Sequence, residues 1–543
     1  MRMISRAALC CAGAMVVLAL AGATMGGTFA QRSEAASELP PLPAAVEQEI
    51  VRVAAEIDRI EAESLRRLAE GPDNPAERTL LLGKLLMYDK ELSVHRNEAC
   101  AFCHMPEAGF TGPISELNAT TVAYPGSVRS RFSQRKPQSH AYAPFAPALH
   151  YNASQGDFVG GNFWDMRATG MRLDNPAAEQ AQAPPLNPVE MGMSDAACVV
   201  YRISQRPYRL LFEQVWGKQS FSIAWPADIE PICDTPAPAP PDDPQPVHLS
   251  AVDRGIAQAS FDGMALSMAA YERSKQVSPF SSKFDAVIGK SATFTPQEQL
   301  GFEVFRGKGR CNECHRDGGP GEEPLFTDFT ASNLGVPANF AQPYYEESTP
   351  DGRGHVANPD GSSFVDTGVG GFLDRQRALS GEPNPNPEWQ PYAAKFMGKF
   401  QVPTLRNVDK RPYDGFVKAY MHNGYFKTLK DVVHFYNTRD VLPRCTANDP
   451  GGEGVVLARA RISAEHEYAT AGQSRAERGG GECPGHLHAD ADRRLHRKDA
   501  TMTLSGSACL PCPGYGPSTA IRTSSARRRS LGNRSPSSYM AAG

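Results

Sequence analysis

Two pentapeptides carry the clearest chemistry in this chain: Cys100-Ala101-Phe102-Cys103-His104 and Cys311-Asn312-Glu313-Cys314-His315. Both read C-x-x-C-H, the spacing by which a c-type haem is attached. Two thiols at this separation can add to the two vinyl groups on one edge of a porphyrin. The next residue then turns back beneath the ring and offers its imidazole to the iron. A Cys/His zinc site draws on the same residue types. Two copies, each following a helical stretch in a chain with an export signal, favour two covalently bound haem c groups. Cys509-Leu510-Pro511-Cys512 is followed by Pro513 and lacks the His, so it is not a third site.

The export signal is at the start. Arg2 and Arg6 supply a positive region, residues 7–21 form an apolar run, and Thr28-Phe29-Ala30 offers a small-residue cleavage site before Gln31. The run is short for a spanning helix of about 20 residues. Residues 1–30 therefore read as a cleaved signal peptide, and the mature protein as periplasmic, with no membrane segment. At 543 residues the chain exceeds one ordinary hydrophobic core, so at least two domains are expected. A net charge of −4 argues against a nucleic-acid partner. With 45 Pro, 48 Gly and only 8% aromatic residues, the composition suits a loop-rich protein built around a cofactor.

The elements that must position the two motifs are helical. Val46, Ile50, Val53, Ile57 and Ile60 mark an amphipathic helix over residues 44–70. A second helix over 77–89 leads into Cys100, and a third spans about 250–274 after the Pro-rich stretch 234–246. Thr295-Pro296-Gln297-Glu298 is a capping box that opens a helix ending near Gly307, just before Cys311. The halves echo one another. Leu82-Gly83 and Leu300-Gly301 precede the two Cys motifs, and Phe110-Thr111 and Phe326-Thr327 follow them. The fold class expected is mainly α, with two loop-rich, cytochrome c-like haem domains. They would occupy residues 75–280 and 290–452, behind a helical extension over 31–74.

Five further motifs, in order around the two Cys sites, resemble those of the bacterial di-haem cytochrome c peroxidases over about residues 75–440. They are Phe163-Trp164-Asp165-Met166-Arg167, Glu179-Gln180-Ala181, Asn187-Pro188-Val189-Glu190-Met191, Pro403-Thr404-Leu405-Arg406-Asn407-Val408 and Tyr420-Met421-His422-Asn423-Gly424. That group includes the related methylamine-utilisation enzyme, which oxidises tryptophans in a partner protein. The resemblance implies that the N-terminal haem is the peroxide site, with Glu190 moving protons over the iron, Gln180 assisting and Trp164 carrying electrons between the haems. Heterolytic O–O cleavage needs a proton taken from one oxygen and given to the other, which one carboxylate can do. Gln182 is an alternative to Gln180, and the stretch from Trp164 to Gln180 is longer than usual for the family. The resemblance also implies His104 and His315 as iron ligands and one calcium ion, with Asn152 and the carbonyls near Val417 and Ala419 as its ligands. A small periplasmic donor, a cytochrome c or a cupredoxin, would feed electrons to the second haem. A homodimer is compatible with the family.

Two departures bear on mechanism. Classical members close the peroxide haem with a His soon after the first motif. Here none lies between His104 and His140, and His140 and His150 fall beyond that stretch. The first haem is therefore expected to be five-coordinate and open to peroxide. Where many members place a Met ligand to the second haem, this chain has Tyr436, as in the methylamine-utilisation enzyme. A phenolate stabilises ferric iron and lowers the potential, whereas Met raises it. Met421 and His434 are the alternatives.

After about residue 450 apolar periodicity stops and Arg accumulates. Permissible codons for residues 488–499, read one base later, give MQTLTDGYTGK, a match to the family's closing motif. Residues 453–543 therefore read as a disordered tail translated out of frame. Cys445 would then lack its partner, while Cys198 and Cys233 can pair with each other. The function expected is a peroxidase that reduces hydrogen peroxide. The alternatives are a peroxide-dependent oxidase of Trp or Tyr on a partner protein, and a non-catalytic electron carrier.

Overall fold

A computed structural model describes residues 42–319, 321–375 and 386–439; the signal peptide, Cys445 and the tail lie outside these residues. The described chain is helix-rich, with two short two-stranded antiparallel sheets as its only paired strands. His150–Asn152 pairs with Asp157–Val159, and Ala331–Ser332 with Phe400–Gln401. No described helix is long and apolar enough to cross a membrane.

The first helix spans Ala44–Glu70 and buries Val46, Val53, Ile57 and Ile60 on one face, as its apolar spacing predicts. The second spans Pro75–Met87, starting two residues earlier than predicted from the apolar pattern. The cause is local: the Asn74 side chain accepts the Glu77 N–H, and Pro75 fills the first turn, where no N–H is needed. The Thr295 capping box forms, and its helix spans Pro296–Arg306. A disulfide joins Cys198 to Cys233.

The Ala251–Arg273 helix is the axis of the first half. It packs on Pro75–Met87, Pro176–Leu186 and Ala196–Ser204. Its approach to Pro75–Met87 depends on Gly83, where a Cβ would meet the Ser267 carbonyl oxygen at 2.0 Å. The two halves are separated in sequence but not in packing. Leu149, Phe158 and Met166 share one core with Ala331, Val369, Phe372, Leu373, Trp389, Ala393 and Phe396. In the second half, the helices Lys283–Ile288 and Pro296–Arg306 bury none of their residues.

Buried ion pairs lock the halves together. Arg131 Nε donates to Asp351 at 2.8 Å. Arg135 donates to Asp366 at 2.7 Å and to Asp165 at 2.7 Å. Burial alone would raise both of the latter carboxyls; Arg135 outweighs it and holds Asp165 and Asp366 below the usual range. Arg135→Ala would leave two buried carboxylates short of their cation, at a cost of about 3–5 kcal/mol read by denaturant unfolding. Because both folded pKa values are depressed, this stabilisation is full above the unfolded value of about 3.9 and disappears as pH falls through the folded values. The variant should accordingly show less loss of stability on acidification than the parent.

Candidate active site

Both C-x-x-C-H motifs fold as a 3₁₀ turn from the first Cys, Cys100–Phe102 and Cys311–Glu313, which carries the His beyond it. His104 Nδ1 lies 3.1 Å from the Phe110 carbonyl oxygen, and His315 Nδ1 lies 3.1 Å from that of Phe326. Each Phe takes a left-handed backbone, with φ 59° and 53°, and so turns its carbonyl to the ring. A ring nitrogen committed to a carbonyl in this way leaves Nε2 as the ligating atom. Burial pulls the His104 imidazole down to about 4 and lowers that of His315.

A cavity of about 510 Å³ opens over the first motif. Cys100, Cys103 and His104 line it, together with Trp164, Gln180 and Glu190, so that these six sequence candidates meet at one place. Pro403, Thr404, Arg406 and Asn407 of the later motif complete the wall. The size, the paired thiols and the tied imidazole fit a haem held at Cys100, Cys103 and His104. The second motif has the same thiol spacing and the same tied imidazole at Cys311, Cys314 and His315.

Glu190 is half-buried, on the turn after the Pro176–Leu186 helix. Asn187 Nδ2 donates to its Oε1 at 2.8 Å, and its N–H donates to the Asn187 carbonyl at 3.0 Å. The chain opposite comes very close. A Cβ at Gly126 would meet the Val189 and Glu190 carbonyl oxygens at 2.5 and 2.7 Å, and Ser127 N–H donates to that Glu190 carbonyl at 2.7 Å. Burial raises the Glu190 carboxyl above its ordinary range, against the pull of Arg167 and Asn187. Asn187 and Arg167 were quoted in motifs, but no spacing rule gave them a role at Glu190.

Trp164 is buried and donates from Nε1 to the Lys136 carbonyl at 2.9 Å. Its ring meets His422 edge-on at 6.4 Å, and His422 stacks on Phe400 at 3.6 Å. Thr404, four residues after Phe400, donates to the Leu325 carbonyl at 2.7 Å, next in sequence to the Phe326 whose carbonyl lies against His315. Lys136, unnoticed in the sequence, lines the same cavity; burial, then Lys418, draws its ammonium down to about 7.

Tyr436 lies on the Leu429–Thr438 helix, with its ring 45% exposed. Its hydroxyl is enclosed enough for burial to push it up to about 12, and Cys314 and Cys311 lie near enough to contribute. His434 is exposed, as Tyr436 is, and Met421 lines the first cavity.

Asn152, the residue expected to ligate calcium, is engaged within its own turn. Its Oδ1 accepts from Ser154 N–H and Oγ, at 3.1 and 2.7 Å, so the side chain caps the turn of the first sheet. The side-chain amide that meets the Val417 carbonyl is that of Asn118, at 3.0 Å. Among the described residues no group of three or more His, Cys, Asp or Glu could hold a metal ion.

Comparison with known proteins agrees with this site. A sequence profile described as "Di-haem cytochrome c peroxidase" matches residues 77–293. Methylamine utilization protein MauG of Paracoccus denitrificans is 32% identical over 67% of this chain and 75% of its own length. Cytochrome-c peroxidase IdrP1 of Denitromonas iodatirespirans is 25% identical over 67% of this chain and 74% of its own. The crystal structure of the diheme peroxidase BthA from Burkholderia thailandensis aligns with a TM-score of 0.49 at 27% identity, covering 67% of this chain and 72% of that one. With 32% of the aligned residues identical over 67% of its length and 75% of that of MauG, the chain belongs to the di-haem cytochrome c peroxidase family.

Proposed function

We propose that this protein reduces hydrogen peroxide to water at the Cys100–His104 site, using electrons received by a haem at Cys311, Cys314 and His315 from a small periplasmic cytochrome c or cupredoxin. The supporting observation is the content of the first cavity. A carboxylate of raised proton affinity, Glu190, shares it with Gln180, Trp164 and the tied His104 imidazole. A pure electron carrier has no use for a proton-handling group there.

Bound haem iron would supply the redox chemistry of O–O cleavage. Each turnover consumes two electrons and two protons and yields two waters. Glu190 takes the proton from one peroxide oxygen and returns it to the other, so that the departing oxygen leaves as water. Asn187 holds that carboxylate by its Oε1. Gln180 offers a hydrogen bond from the adjoining helix. The Trp164 indole, fixed through Nε1, stands edge-on to His422.

An open sixth position at the first iron is supported by the later histidines. His140 stacks beside His104 instead of facing it, and His150 is exposed, with Nδ1 2.9 Å from the Ala148 carbonyl oxygen. The second reading, peroxide-driven oxidation of Trp or Tyr on a partner protein, is favoured by Tyr436 near Cys314, since a phenolate ligand suits oxidised iron. Turnover with a small electron donor, compared with turnover on a protein substrate, separates the two.

Glu190→Gln should slow the reaction with peroxide about 10²–10⁴-fold while leaving both haems attached; unchanged stopped-flow kinetics would remove Glu190 from the mechanism. The parent should lose activity as pH falls through the Glu190 pKa, with an acid limb above the ordinary carboxylate range, because the base must be ionised to accept the proton. Tyr436→Met should raise the reduction potential of the second haem and change its ferric spectrum, leaving the first unaltered. An identical spectrum would show that Tyr436 is not a ligand. Gly126→Ala should displace the Glu190 backbone and cost peroxide reactivity without loss of haem, as read by haem staining alongside peroxide kinetics.

A further inference from the structure

We propose that His140, braced by Glu272, is a positioning residue that fixes the orientation of the His104 imidazole at the first haem. This rests on the reading of His104 as that haem's axial ligand. The His140 and His104 rings are stacked, with centroids 3.6 Å apart and planes 21° from parallel. Both residues are anchored to one atom. The Phe110 carbonyl oxygen accepts the His140 backbone N–H at 3.2 Å and lies 3.1 Å from His104 Nδ1.

Behind His140 stands a carboxylate. His140 Nδ1 is 3.2 Å from Glu272 Oε1, and the two side chains are 8% and 1% exposed. The contact lacks hydrogen-bond geometry, and neither side chain has a hydrogen-bond partner among the described residues. Glu272 comes from the last turn of the Ala251–Arg273 helix, and that turn is buckled to the His140 segment. Ser278 Oγ donates to the Glu272 carbonyl at 2.8 Å and accepts the Tyr142 N–H at 2.8 Å. The central helix of the first-half core thus ends against the residue that stacks on His104.

Burying an imidazole and a carboxyl group with only each other for company is unfavourable against apolar side chains of the same size. A site that needed only filling would be filled more cheaply. What the pair adds is orientation. The bond to Phe110 selects the His104 tautomer and aims Nε2, but leaves the ring free to turn about that axis. A second ring stacked on its face removes this freedom. The angle between an axial imidazole plane and the porphyrin nitrogens sets how ligand and iron orbitals overlap, and so the anisotropy and potential of the ferric centre.

The test uses the full haem-loaded protein and reads the ferric electron paramagnetic resonance signal and reduction potential of each haem. His140→Leu should keep both haems attached, yet broaden or shift the first-haem signal and move its potential, with the second haem unchanged. His140→Phe, which restores a flat ring, should recover most of the signal shape. Glu272→Gln should give a smaller shift of the same kind. A first-haem signal and potential unchanged in His140→Leu overturn the proposal. Should that variant fail to fold, an unchanged signal in Glu272→Gln does so. Parent protein with no haem on Cys100 and Cys103 would overturn the ligand reading itself, and pyridine haemochrome counting distinguishes that failure from the other.

Discussion

The arrangement depends on one contact made twice: an imidazole Nδ1 held by the carbonyl of a Phe in the left-handed region. At His104 and at His315 this fixes the tautomer, aims the other nitrogen and turns the loop after each Cys motif back on itself. A non-Gly residue at positive φ carries a conformational cost of about 1–3 kcal/mol. The cost is met twice, at equivalent positions, where an iron ligand must be oriented. The repeated Phe-Thr is thus the trace of a shared construction. Thr111 and Thr327 complete it by donating to the Pro137 and Val402 carbonyls, each at 2.6 Å.

Around that contact the first half is assembled so that the reacting side chains arrive on rigid supports. Gln180 stands on a helix, Glu190 follows in the turn that Asn187 stabilises, and Gly126 permits the opposing chain to press against it. Trp164 is held by its indole nitrogen, and its carbonyl accepts the Gln401 N–H at 2.8 Å, so both halves determine where it sits. Arg406 does similar work at the other wall. It donates to the Pro324 carbonyl at 2.8 Å, pairs with Asp285, and lies over the Tyr142 and Phe280 rings.

Much of this was legible in the sequence where the signal is local. The amphipathic spacing of Val46 to Ile60, the Thr295 capping box and the thiol spacing each depend on a few neighbouring residues, and each is found as expected. Asn74-Pro75 was equally local, and reading it as a helix start would have moved the second helix to its observed beginning. The contacts that escaped are long-range. Nothing near His140 announces Glu272, 132 positions on, and nothing near Asn118 announces Val417. The expectation of calcium at Asn152 relied on spacing across a loop-rich stretch, where an Asn serves a turn as readily as an ion. The positive φ of Phe110 has no compositional mark at all, since Phe is not a residue that favours it.

The core shared by Phe158, Trp389 and Phe396 has a bearing on how such a protein can be altered. The cut suggested by the tandem Cys motifs, near residues 275–290, falls where the larger core ends at Val277, yet it separates the two parts of this smaller shared core. A chimera that exchanged the C-terminal half with a relative's would sever Leu149, Phe158 and Met166 from the side chains they were matched to. The heritable module is accordingly discontinuous. Residues 149–166 travel with the distant half, and recombination that respects sequence order alone would produce an ill-fitted graft.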